Sequence, residues 1–214
     1  MIVTERTTLA RHPERGSYDS EVVYRILDEA LVCHVAFVAG EQPVVIPTLF
    51  ARVGDTLYIH GSAIGRMLRT LAGGVEVCVN VTLLDGLVFA RSAFSHSMNY
   101  RSVSVFGSAR EVTDPEEKLR ALRATVEHVA RGRWDDARRP SAKELAATMV
   151  VAIPLTEASA KIRTGGPKDA EADYALPVWA GVVPLRLRAD APEADGRNLA
   201  GVAAPAYVSA YSRA

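Results

Sequence analysis

The sequence contains no run of about 18 apolar residues, the length a membrane-spanning helix needs. Its opening stretch, Met1 to Ala10, lacks a basic segment followed by an apolar one, so export is not indicated and a cytoplasmic protein is expected. Charge of either sign is not in excess, because 25 Lys and Arg balance 25 Asp and Glu. Without a basic stripe to neutralise phosphates, neither nucleic acid nor an anionic membrane is an expected partner. Cysteine is scarce: Cys33 and Cys78 both sit inside apolar runs, and they read as reduced core thiols, not a disulfide framework. Neither GxGxxG nor GxxxxGK[ST] occurs, which removes the usual dinucleotide and nucleoside-triphosphate loops. No histidine stands at metal-ligand spacing from a second His, Cys or carboxylate, and Cys33-His34, as strand neighbours, point to opposite faces. No metal site is therefore expected. Spacing supports no Ser-His-Asp or Cys-His arrangement either, and catalytic residues stay unassigned.

With 214 residues, of which 49% are hydrophobic, the chain can bury one good-sized core. A single domain over residues 1–214 is expected, with an N-terminal arm over 1–17 and an irregular C-terminal extension over 165–214. Asp19 or Ser20 caps a helix whose apolar residues Val22, Val23, Ile26, Leu27, Ala30 and Leu31 recur at helical spacing. Strands are predicted over Cys33 to Ala39, Val44 to Arg52 and Thr56 to His60, then a short helix over Ala63 to Leu71 capped by Ser62. Val75 to Leu83 and Leu87 to Phe94 flank Asp85-Gly86, a hairpin signal, and Tyr100 to Val112 makes another long strand. Asp114, Pro115 and Glu116-Glu117 start a helix running to about Val129. A short helix over Ser141 to Thr148 and strands over Met149 to Pro154 and Ala160 to Ile162 complete the pattern. Many short strands with interposed helices and no βαβ alternation predict a mainly β fold with α decoration.

Two polar stretches carry chemistry. In Tyr58-Ile59-His60-Gly61-Ser62-Ala63-Ile64-Gly65-Arg66 a strand ends at a glycine and a hydroxyl residue opens a helix. Such a junction either binds a phosphate, with Arg66 one turn on adding a charged contact, or is an ordinary Ser-capped helix. The second stretch is Ser95-His96-Ser97-Met98-Asn99-Tyr100-Arg101-Ser102, between two strands. Arg101 and Ser102 can offer a cation and a hydroxyl to a phosphate, and Asn99 can pair with a heteroaromatic edge; a plain polar loop is the other reading. His96 reads as a hydrogen-bonded loop histidine, with a proton donor or haem ligand as the alternative.

In this order and separation, the two stretches resemble the pyridoxamine 5′-phosphate oxidase-like FMN-binding split barrels, above all the branch of nitroimidazole-resistance proteins. The likeness runs from about Tyr18 to Pro184. Ser62 with Arg66 stands in the place of the family's Tyr/Phe-x-x-x-Ser-x-x-Lys/Arg segment, and Arg101-Ser102-Val103-Ser104 with Gly107 in that of its Arg-Gln-Val-Arg segment. The resemblance implies a six-stranded antiparallel split β-barrel, FMN as cofactor with haem or a deazaflavin as alternatives, and phosphate contacts from Ser62, Arg66, Arg101 and Ser102. It places Thr48, His60 and Gly61 near the flavin ring, with Asn99 and Tyr100 among the cofactor contacts. It also implies a homodimer with the flavin at the subunit interface. The apolar island Leu176 to Pro184 then has Trp179 crossing to the partner and covering the flavin, or else packing on its own barrel.

The implied activity is an FMN-dependent oxidoreductase that takes hydride from NAD(P)H and reduces a small oxidised acceptor such as a nitro compound. The alternative is a flavin- or haem-binding protein without turnover. Pyridoxamine 5′-phosphate oxidation ranks last, because the Arg-Leu-x-Pro ending of those enzymes is missing and Arg186-Leu187-Arg188 lacks the proline.

Overall fold

In the computed structural model, which describes residues 1–212, the helices capped by Asp19, Asp114 and Ser141 start where the capping chemistry puts them. The elements run β1 (Gly16–Ser17), α1 (Ser20–Glu29), β2 (Val32–Ala39), β3 (Gln42–Leu49), β4 (Ala51–Val53), β5 (Thr56–Ser62), α2 (Arg66–Ala72), β6 (Glu76–Phe89), β7 (Ser97–Ser108), β8 (Arg110–Glu111), α3 (Pro115–Val129), α4 (Arg133–Asp136), α5 (Ala142–Ala147), β9 (Thr148–Pro154), β10 (Glu157–Arg163), β11 (Gly181–Pro184) and α6 (Ala206–Ser209). They form two compact units: Met1–Thr48 with Glu76–Gly107 and Leu155–Arg186, and Leu49–Val75 with Ser108–Pro154 and Leu187–Ala214. The protein is mainly β with helices, and its described strand pairs are antiparallel. The last two residues of the expected C-terminal extension lie outside the described residues.

The first unit is built on a seven-stranded sheet ordered β1-β10-β7-β6-β2-β3, with β11 also paired to β6. Asp19 starts α1 by accepting from the Glu21 N–H at 2.9 Å. One face of α1 then buries Val23, Ile26 and Leu27, and alternation along β2 buries Cys33, Val35 and Phe37. Valines 77, 79 and 81 of β6 and Val103 and Val105 of β7 complete this core. Leu27 is fully enclosed, so Leu27→Ala is expected to cost about 2–5 kcal/mol. The N-terminal arm is tied to this unit through Arg6, paired with Glu76 at 2.6 Å and Glu157 at 2.5 Å.

The second unit is built on a sheet ordered β4-β5-β9-β8. Leu57 and Ile59 of β5 and Val151 and Ile153 of β9 are buried in it, as are Leu68 and Leu71 of α2. Asp114 caps α3 through the Glu117 N–H at 2.8 Å, with Pro115 at the first position. Ser141 and Glu144 form a reciprocal capping box at α5.

Several expectations need correction. Asp85-Gly86 makes no hairpin: β6 runs unbroken through both. Gly86 is needed there because β11 crosses beside it, and a Cβ would lie 3.1 Å from both Val182 Cγ1 and the Val183 carbonyl. Ser95 to Ser102 is not a connecting loop, since residues from Ser97 onward belong to β7. The helix after β5 starts at Arg66, not Ala63, and Gly65, not Ser62, is its N-cap. Val44 to Arg52 is divided between β3 and β4. Six strands are exceeded because segments as short as β1, β4 and β8 carry no periodicity to read, and because β11 pairs where an irregular tail was expected.

Candidate cofactor site

In the second unit, β5 carries His60, Gly61 and Ser62 to the turn before α2. Leu68 packs under this turn, and a Cβ on Gly61 would lie 3.1 Å from its Cδ1. The Ser62 hydroxyl accepts from the Ile64 N–H at 3.4 Å, and the Ser62 carbonyl from the Gly65 N–H at 2.9 Å. Arg66 therefore stands at the first helical position, not one turn on, and its guanidinium is exposed without a partner among the described residues. The His60 ring is half-buried, and its Nδ1 is enclosed with no hydrogen-bond partner among the described residues. Burial holds the His60 pKa below the usual histidine value, so the ring is neutral at pH 7. A neutral imidazole with an unmatched buried nitrogen suits a polar ligand edge.

In the first unit, the stretch Asn99 to Ser102 lies on β7, where neighbouring side chains face opposite sides. Asn99 and Arg101 share the side of Val103 and Val105, and Tyr100 and Ser102 share the other. Asn99 is buried and accepts from Nη1 of Arg163. Arg163 also donates at 3.0 Å to the carbonyls of Gly165 and Gly166. Burial, then the nearby Arg15, lowers the Arg163 pKa against the opposing pull of Tyr100. Arg101 donates through Nε and Nη2 to Asp85 at 2.9 and 2.7 Å, and through Nη2 to Glu29 at 2.8 Å with Nη1 donating to the same carboxylate. Its charge thus meets two carboxylates. The Ser102 hydroxyl donates to the Lys161 carbonyl at 3.3 Å, and Thr48 is half-buried near the end of β3.

After β10 the chain returns across the same unit and is fastened by Asp169, whose side chain is fully enclosed. It accepts from the Arg91 N–H at 3.1 Å, the Ser92 N–H at 3.2 Å and Arg91 Nη1 at 3.3 Å. Burial alone raises a carboxyl pKa, but these donors outweigh it and hold Asp169 below the usual range. Beyond this clasp, the Trp179 ring lies 6.1 Å from Phe89, and Phe89 lies 5.8 Å edge-on from His96. Trp179 is 68% exposed and Phe94 97% exposed.

Asn99, Tyr100, Arg101 and Ser102 thus share one strand of the first unit, with Thr48 and Trp179 elsewhere in it; His60, Gly61, Ser62 and Arg66 share one turn of the second. Sequence reasoning did not find Arg163, the Asp169 clasp or the exposed Phe94. Each depends on backbone carbonyls, N–H groups or surface that only a folded chain presents, although Gly165-Gly166 after Arg163 was a visible mark of unusual backbone. Among the described residues, no three His, Cys, Asp or Glu side chains are grouped to hold a metal ion, and no helix is long and apolar enough to cross a membrane.

The family model for pyridoxamine 5′-phosphate oxidase matches residues 19–162. Among solved structures, the flavocytochrome Anf3 from Azotobacter vinelandii is 42% identical over 96% of this chain and 95% of that one, with a TM-score of 0.91. A FAD and heme binding protein from Mycobacterium smegmatis is 39% identical over 91% of this chain and 95% of that one, with a TM-score of 0.87. A proposed 5-nitroimidazole antibiotic resistance protein from Bacteroides thetaiotaomicron is 26% identical over 69% of this chain and 86% of that one, with a TM-score of 0.57. No curated protein matches the sequence.

Proposed function

The chain belongs to the pyridoxamine 5′-phosphate oxidase-like family, and from that premise we propose that it is a flavin-binding redox protein that also takes up haem. One observation carries this reading. The family model ends at residue 162, yet similarity to the Azotobacter flavocytochrome takes in 96% of the chain, so nearly all of the C-terminal stretch falls within it. That stretch supplies the Asp169 clasp and sets Trp179 beside Phe89. The extension is thus shared with a protein described as carrying flavin and haem together.

For the flavin, the fitting residues are Arg66, without a partner among the described residues, and the Ser62 hydroxyl towards its phosphate, and His60, with its unmatched Nδ1, towards the polar edge of the ring. Of the phosphate contacts the resemblance implies, Arg101 and Ser102 are set aside here. Glu29 and Asp85 already neutralise Arg101, and Ser102 donates to backbone. When bound, a flavin exchanges electrons singly or in pairs, which allows hydride uptake from NAD(P)H and delivery to a one-electron centre or a small acceptor such as a nitro compound. FMN, FAD and a deazaflavin share the isoalloxazine-like ring that these residues would hold. A split barrel paired as a homodimer belongs to the same reading. No residue of β3 is buried within its own unit, and Trp179 stands exposed, so a second copy gives both a cover.

The test is the absorption spectrum of the purified protein, with chromatographic identification of any flavin released on denaturation, before and after anaerobic NADH or NADPH. Flavin bands that bleach on reduction are expected. A protein that neither carries nor takes up FMN or FAD would overturn the reading.

A further inference from the structure

We propose that His96 is the residue that would hold the haem iron, through its Nε2. This rests on the flavin–haem reading above and adds the residue that would hold the iron. His96 Nδ1 lies 3.0 Å from the Ser92 carbonyl oxygen. A carbonyl only accepts, so the proton sits on Nδ1 and the Nε2 lone pair is left free. Metal-bound imidazoles are oriented in just this way, by a hydrogen bond from the other nitrogen.

The ring is exposed, yet it is not loose. Phe89 meets it edge-on at 5.8 Å, and Asp169 fixes the backbone of Arg91 and Ser92 directly ahead of the short helical turn Ala93–Ser95. Phe94, two residues before His96 and 97% exposed, leaves a large apolar face on the same unit. An apolar, planar ligand that binds through one imidazole would cover such surface and use the free nitrogen together. The other histidines do not match: His12 pairs with Glu14, His128 stacks on Phe50, and His60 has its buried nitrogen unmatched. His34 has neither ring nitrogen hydrogen-bonded among the described residues, so nothing fixes its tautomer.

The test reconstitutes the full-length protein with haemin and compares wild type, His96→Ala and His34→Ala by absorption and electron paramagnetic resonance, with flavin content measured in parallel. Wild type and His34→Ala are expected to share one Soret position and one spin state. His96→Ala should retain flavin but lose haemin on gel filtration or shift its spin state, and added imidazole should restore the wild-type spectrum. A His96→Ala spectrum identical to wild type overturns the His96 assignment alone. Failure of the wild type to bind haemin overturns the assignment and the haem half of the reading together.

Discussion

Asp169 holds the Arg91 backbone N–H at 3.1 Å, with its carboxylate fully enclosed, and so joins the C-terminal stretch to the segment that carries His96. Asp169→Ala leaves the Arg91 and Ser92 N–H groups and the Arg91 guanidinium without this acceptor, which loosens the stretch. The expected outcome is lower stability to urea together with altered Trp179 fluorescence. Unchanged emission would mean the extension is held by other contacts.

The same clasp gives a pH dependence whose sign is fixed. The folded-state pKa of Asp169 is depressed, so its contribution is fully present above the ordinary aspartate value, about 3.9. It is lost as pH falls through the lower folded value. The protection of the Arg91 and Ser92 amides, relative to their intrinsic exchange rates, should therefore fall on acidification below about pH 4, and this fall should be absent in Asp169→Asn, where no carboxylate titrates.

Arg66 is exposed and has no partner among the described residues, so its charge is available to a ligand at little structural expense. Arg66→Glu should weaken FMN by about 2 kcal/mol or more, roughly thirtyfold, and riboflavin far less, because a charge-assisted contact to phosphate becomes repulsion. Equal losses for both ligands, measured by fluorescence titration, would remove Arg66 from the phosphate site.

Arg101 is expected to behave in the opposite way. Its side chain is 30% exposed and bridges Glu29 and Asp85, so Arg101→Leu leaves two carboxylates facing each other and costs about 1–2 kcal/mol after allowance for solvent screening. Thermal unfolding should register this, and the flavin affinity of the folded fraction should stay within about twofold of wild type, under 0.5 kcal/mol. A selective loss of FMN over riboflavin would return Arg101 to the phosphate site.

How far the sequence could be read depended on the range of each interaction. Asp19, Asp114-Pro115 and Ser141 cap helices within three residues of themselves, and all three helices start where those signals stand. Asp85-Gly86 misled because the same dipeptide serves two purposes. In β6 the aspartate pairs with an arginine 16 residues on, and the glycine admits β11. That Arg101 is already ion-paired could not be read, because its partner Glu29 is 72 residues away. His96 was legible as a candidate, but which of its nitrogens is free follows from the Ser92 carbonyl, whose direction no residue identity encodes.

The C-terminal stretch offers the widest test. Leu176, Val178 and Trp179 remain 45%, 47% and 68% exposed although the stretch is clasped at Asp169 and paired at β11. Surface so apolar on an anchored segment is stabilised by a cover, which the proposed homodimer would supply. Ending the chain after Thr164 should therefore weaken self-association and flavin retention together. Trp179→Ala should lower flavin retention while the fold survives, because the exposed ring contributes little to its own unit. Gly181 offers a sharper variant: a Cβ there would lie 2.9 Å from the Trp179 ring, so Gly181→Ala should displace the indole without removing it. Sedimentation and flavin titration of the three variants form the check. A truncated chain that is monomeric yet binds flavin as tightly as the intact protein would show that the site lies within one subunit.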